Sequence, residues 1–142
     1  MSNFIDGILQ NIADYIDDEV KPYAEIVFGS DPPANGICMI QSSGYPTDTH
    51  LDKGMVYSVP VVLNGKNSSQ KTLLDDLTKI HEELTTLRDY SDISTADCQV
   101  VDIATTSTPS IIGREQNNQW ICGSSLSVSF YWRKDIMTDR ML

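Results

Sequence analysis

The sequence predicts an α+β fold in which two main amphipathic helices pack on a mixed or antiparallel β-sheet. Three observations carry the prediction. Over residues 55–63, Met55, Tyr57, Val59, Val61 and Leu63 share one face at a period of two. Val56 and Val62 make the opposite face partly apolar, as in an interior strand. Over residues 70–88, Leu73, Leu77, Ile80, Leu84 and Leu87 recur at helical spacing, and Leu74 widens that stripe to the breadth of a core-facing helix. The third observation is the order of segments, a helix, two or three strands, a helix and a pair of strands, which suits helices laid on one sheet. The 142 residues suffice for one domain with a real core and are too few for two.

Ser2 can cap a first helix over residues 2–20, with Phe4, Ile5, Ile8, Leu9, Ile12, Tyr15 and Ile16 on a broad apolar stripe. Asp14, Asp17, Asp18 and Glu19 crowd negative charge at its C-terminal end, where the macrodipole disfavours it. A solvated face accounts for them, and a surface kept for a neighbour is the sharper reading. Pro22 stops the helix, and the sheet with the central helix is expected within residues 24–133. Residues 24–28 and 37–40 read as short strands around a turn that holds Pro32 and Pro33. Residues 41–54 are polar and aperiodic, and a loop of that length inside a compact domain is usually functional or disordered.

The strand over residues 55–63 should end at Asn64-Gly65, a turn signal. Ser68 or Ser69 can cap the central helix, Asp75 and Asp76 sit early in it, and Arg88 sits at its end. Residues 90–97 form a polar connector and residues 98–105 another strand. Residues 107–119 are a second aperiodic stretch, with Pro109, Ile111, Ile112, Gly113, Arg114 and Glu115. Residues 120–132 alternate strongly, with Leu126, Val128, Phe130 and Trp132 on one face against Ser125, Ser127 and Ser129 on the other. Hydroxyls in such a row can pair across a flat surface or a subunit boundary. A short tail, residues 134–142, carries Met137, Met141 and Leu142.

Ten basic against twenty acidic side chains give a net charge of −10, which argues against binding the phosphate backbone as the main activity. Cys38, Cys98 and Cys122 are odd in number and widely spaced, which suits buried thiols in a reducing compartment. The first residues lack the basic and apolar pattern of a secretion signal, and no apolar run approaches the roughly 18 residues of a membrane span. The expectation is a chain of cytosolic character with no membrane partner.

Signs of catalysis are weak. His81 lies between Leu77 and Leu84 on the central helix and reads as a core-edge histidine before it reads as a general base. Asp48, His50 and Asp52 alternate in sequence and could hold a divalent metal weakly in an extended loop, but no second histidine or cysteine stands near to complete the set. Gly123-Ser124-Ser125 lies inside a strand rather than at a nucleophile elbow, and no Gly-rich phosphate loop occurs. No enzyme and no cofactor are expected. The two polar stretches point instead to protein contacts, with Tyr45, Pro46, His50, Ile111, Ile112, Arg114, Glu115 and Trp120 as the candidate residues.

The order of segments carries a resemblance. An N-terminal amphipathic helix leads to a strand, to Val59-Pro60-Val61-Val62-Leu63, and to the polar Asn64-Gly65-Lys66-Asn67. The helix bearing Leu73-Leu74-Asp75-Asp76-Leu77 follows, then Ser107-Thr108-Pro109 and the final Ser127-Val128-Ser129-Phe130-Tyr131-Trp132. Over about residues 3–133 this resembles the minor capsid and tail terminator (head–tail joining) proteins of long-tailed bacteriophages. The resemblance implies a ring of identical subunits, commonly a hexamer, that caps the tail tube and later joins it to the head–tail connector. It implies a place in the tail or neck of the virion, assembled in the cytoplasm of a bacterial host, with DNA passing through the lumen. A head-completion protein binding the portal side is the alternative within the same assembly. An acidic lumen would repel DNA phosphates and let the genome slide.

Overall fold

The computed structural model describes residues 2–41, 45–49, 54–95 and 98–133. Helix α1 (Ser2–Tyr15) runs into a π-helical turn (Ile16–Val20) and is followed by strands β1 (Ile26–Phe28), β2 (Ile37–Gln41), β3 (Tyr45–Thr49) and β4 (Gly54–Asn67). Helix α2 (Gln70–Thr85) and strands β5 (Cys98–Arg114) and β6 (Trp120–Arg133) complete the chain. The strands form one sheet in the order β1-β2-β4-β6-β5, with β3 also paired to β4. All pairings are antiparallel except β1 with β2. The expected class, helices on a mixed sheet, is the one observed.

β4 organises the sheet. It pairs with β6 in a single register from Gly54↔Arg133 to Asn67↔Trp120. On its other edge β2 lies along the second half, from Ile37↔Gly65 to Gln41↔Val61, and β3 along the first, from Tyr45↔Ser58 to Thr49↔Met55. Opposed residues project to the same side of a sheet, so the register sorts every side chain. Val59, Val61 and Leu63 share a face with Leu126 and Val128 of β6 and Met39 of β2, and all are buried. Both helices contribute to the same core, through Ile8, Ile12 and Ile16 of the N-terminal helical segment and Leu73, Leu77, Ile80 and Leu84 of α2. The opposite face, with Ser58, Pro60 and Val62 beside Ser129, Ser127 and Ser125, carries neither helix.

Three expectations are corrected. The stretch 41–54 is not a loop throughout, because β3 occupies Tyr45–Thr49 and makes a hairpin with β4. Asn64-Gly65 is not a turn; Asn64 opposes Cys38, and Gly65 opposes both Ile37 and Cys122. Gly65 serves close packing instead. A Cβ there would lie 2.8 Å from Leu73 Cδ1 and 2.9 Å from the Tyr23 hydroxyl. The stretch 107–119 is also mostly strand, since β5 continues to Arg114 and leaves only a short turn before Trp120.

Both helix ends have local causes. The Ser69 side chain accepts a hydrogen bond from the Thr72 amide at 3.3 Å, which caps α2. The helix ends at Thr85 rather than near residue 88, where the hydroxyls of Thr85 and Thr86 donate back to the carbonyls of His81 and Glu82. At the end of the first helix, Asp17 of the acidic cluster accepts a hydrogen bond from the Ile26 amide at 3.1 Å and so holds the start of β1. Burial raises the pKa of Asp17, that hydrogen bond lowers it, and nearby Glu25, Asp14 and Asp18 raise it again. Cys38, Cys98 and Cys122 are all buried.

His81 is a buried core residue on α2. Its Nδ1 lies 2.8 Å from the Thr105 hydroxyl of β5, and its Nε2 has no hydrogen-bond partner among the described residues. A bare lone pair costs less than a buried N–H without an acceptor, so the tautomer with the proton on Nδ1 is favoured. Burial pushes its pKa down to about 4.

Gly65→Ala should destabilise the protein by about 1–3 kcal/mol, because the added methyl meets Leu73 and Tyr23 in a packed core; a denaturant midpoint unchanged from the wild type would contradict this. His81 adds an acid-side dependence. Below the ordinary histidine pKa the unfolded chain takes up a proton that the native core refuses, so stability falls as pH drops from near 6.5 towards 4. The loss from this one group reaches about 3 kcal/mol. Urea midpoints measured at neutral pH and near pH 4.5 should therefore differ less for His81→Leu than for the wild type.

Candidate functional site

The candidate contact residues that are described fall towards two opposite ends of one sheet. The first residue of β4 opposes the last of β6, and the last residues of β4 oppose the first of β6. The β3–β4 hairpin therefore points one way along the strands and the β5–β6 hairpin the other. Sequence distance alone does not reveal this opposition.

At the β3–β4 end, Tyr45 and Pro46 are strand residues whose backbones oppose Ser58 and Tyr57. Their side chains lie outside the described set. Asp48 opposes Val56 in the same ladder, while His50 and Asp52 lie outside the described residues. The metal reading of Asp48, His50 and Asp52 falls there with them. Among the described residues no group of three His, Cys, Asp or Glu side chains stands together as a metal set.

At the β5–β6 end the geometry is explicit. The Glu115 amide donates to the Gln119 carbonyl at 2.8 Å, and Asn118 takes a left-handed φ of 65°, which asparagine tolerates better than most residues. Arg114 sits over the Trp120 ring, 5.2 Å from its centroid, and donates to the Asn118 side chain. Glu115 does not pair with its neighbour Arg114. Its carboxylate lies 3.1 Å from Lys66 Nζ, and Asp31 approaches the same ammonium at 3.1 Å. Ile111 and Trp120 are partly buried against the core. Ile112 points to the opposite face, lies over Gly123 and is 66% exposed. Of the candidates described at this end, Ile112 is the one whose apolar side chain is mainly in solvent.

Lys66 was hidden in the sequence as one polar residue among four. It has become the fastener of this end. Its side chain is buried, and the hydrogen bond to Asp31 does most to raise its pKa, burial opposes the rise, and Glu115 adds to it. Beside it the Asn35 amide donates to the Gln119 side-chain oxygen at 2.7 Å, and Gln119 Nε2 returns a bond to the Asn35 side-chain oxygen at 3.2 Å. The Tyr23 hydroxyl lies 2.9 Å from the carbonyls of both Gly36 and Lys66. The hairpin turn, the loop after β1 and the end of β4 are thus tied together. No periodicity marks these residues, because their partners lie far away in sequence.

Between α1 and the β1–β2 edge a groove is lined by Leu9, Phe28, Met39 and Gln41. Phe28 is 49% exposed there. Polar groups in the groove come from one side chain on each wall, Gln10 and Gln41, which gives it no evident catalytic set.

Lys66→Met tests the fastener. Asp31 is 81% exposed, so the ion pairs are discounted for solvent, and the loss of stability should stay near 1 kcal/mol or below. Amide exchange over residues 115–119 should nonetheless accelerate well before the exchange of the β4–β6 core. Equal protection of the turn in both proteins would show that Lys66 does not hold it.

No family model matches the chain, and no curated protein matches it, so what it does has to be read from its residues and their geometry.

Proposed function

We propose that this chain is a structural virion protein, not an enzyme, whose copies form a ring that terminates the tail tube of a long-tailed bacteriophage and offers the surface for head attachment, with DNA passing through the lumen. The observation that carries the reading is the placement of the hairpins. A subunit held between a tube below and a connector above needs contact structures at both ends of one rigid body. Here the β3–β4 and β5–β6 hairpins turn towards opposite ends of a sheet whose central ladder is unbroken. The resemblance in segment order supports the same assignment.

Charge supports it too. A net charge of −10 favours a lumen that DNA does not adhere to, since phosphates are repelled by carboxylates across a water-filled passage. The partners are then further copies of the chain, the tail tube protein and the head–tail connector, with DNA in transient passage and no membrane. A ring requires heterologous contacts whose rotation closes.

Purified protein mixed with assembled tail tubes, viewed by negative-stain electron microscopy, should show a ring of defined size on one tube end and a halt in tube growth. A protein that stays monomeric both alone and with tubes, leaving the tube ends bare, would overturn the reading. Capture on portal-side connectors with no affinity for tubes would move it to head completion.

A further inference from the structure

The face of the sheet opposite the helices is nearly free of charge. By register it presents Ile40 of β2, Pro60 and Val62 of β4, Ser125 and Ser127 of β6, and Ala104 of β5. Among the described side chains of this face, Asp102 and Lys66 carry charge, and Lys66 is already engaged by Asp31 and Glu115. In a chain with twenty acidic residues, that depletion is a feature of the surface. Carboxylates gather instead on the helical side, for example Asp14, Asp18, Glu82 and Glu83.

Two pairs of hydroxyls on this face bond to each other. Ser58 Oγ lies 2.6 Å from Ser127 Oγ, and Thr106 Oγ1 lies 2.7 Å from Ser125 Oγ. Ser58 is already buried, and covering Thr106 and Ser125 would leave their pair intact, so their desolvation is cheap compared with that of free hydroxyls. Apolar side chains are exposed on the same side, with Val27 at 42%, Ile40 at 38% and Ile112 at 66%. Ile112 lies over Gly123 of this face, and Val27 opposes Cys38 beside Asn64.

We infer that this open face is where two copies of the chain meet, face to face about a two-fold axis. The argument for a second copy is electrostatic. Two bodies of charge −10 repel wherever their acidic surfaces approach, and this face, where Asp102 is the one carboxylate among the described strand side chains, lets them meet with little opposed charge. Docking the same face on the helical side of a neighbour would bury carboxylates without partners, which is costly, so the face selects its own copy. The size also fits. Four strands about 4.8 Å apart and roughly 27 Å long present on the order of 500 Å² of projected surface, the same order as one partner's share of a standard interface. The contact is centred on the strands and reaches the β5–β6 end at Ile112; it does not depend on the proposed ring and stands whether or not the chain belongs to a phage tail.

Light scattering over a concentration series tests it. The wild type should reach twice the chain mass of 15.8 kDa. Ala104→Glu places a carboxylate on an exposed alanine of the face without removing a hydrogen bond and should return the mass to that of the monomer, with an unchanged far-ultraviolet spectrum. Gln70→Glu adds the same charge at the exposed start of α2 and should leave the dimer intact. If Ala104→Glu fails to fold, Ser107→Glu on the same face repeats the test. A dimer unaffected by either charge, or a wild type that is monomeric at every concentration, overturns the proposal. If deleting residues 134–142 converts such a monomer into a dimer, the tail is the occupant of the face and the proposal falls equally.

Discussion

The ladder between β4 and β6 is the constraint on which the other elements depend. It runs from Gly54↔Arg133 to Asn67↔Trp120 without a register shift. A slip of one residue would turn Val59, Val61 and Leu63 out to the open face and bring Ser58, Pro60 and Val62 under α2. The penalty is large because each buried aliphatic side chain contributes about 1.5–3 kcal/mol through burial. Once this register is set, α2 has one place to lie, with Leu73, Leu77, Ile80 and Leu84 on the apolar face. The remaining strands then add to the edges of a pair whose two faces already differ.

That difference between the faces also orders the polar chemistry. Helices end in unpaired backbone groups and project side chains outward, so the acidic residues find water there. Asp17 and Asp76 do more, accepting hydrogen bonds from the Ile26 and Tyr23 amides and fixing the chain that leads from the first helix into β1. On the open face many of the polar groups are short hydroxyls, two pairs of which bond across strands. Asp102 and Lys66 are the charged exceptions, and Lys66 sits where three segments converge at one end of the sheet. Its partners contribute order more than stability, since Asp31 is largely in solvent.

Some of this was legible in the residues and some was not, and the reason differs from place to place. The helical stripe of α2 and the alternation of β6 are strong because each holds one period over many residues. β5 hides because its register shifts at four places, between Val100 and Asp102, Thr105 and Ser107, Ser107 and Ser110, and Ile111 and Gly113. Each shift breaks the period of two, so residues 107–114 look aperiodic although they are strand. β3 hides for the same cause, with a shift between Pro46 and Asp48. Asn64-Gly65 misleads in the other direction. A local turn preference is worth less than two strand pairings and the close approach of Tyr23 and Leu73 to a residue without a Cβ.

The sequence by itself determined the fold class, the two helices, the interior strand and the acidic balance, because periodicity, capping and composition act within a few residues or over the whole chain at once. It also marked Arg114, Glu115 and Trp120 as residues of interest without saying what they touch. Only the tertiary structure decided that Glu115 belongs to Lys66 and Arg114 to Trp120, that Asn35 and Gln119 meet across 84 positions, and that the two hairpins lie at opposite ends. Such partners are chosen by strand register, and register is a collective property of the buried face, which no local pattern encodes.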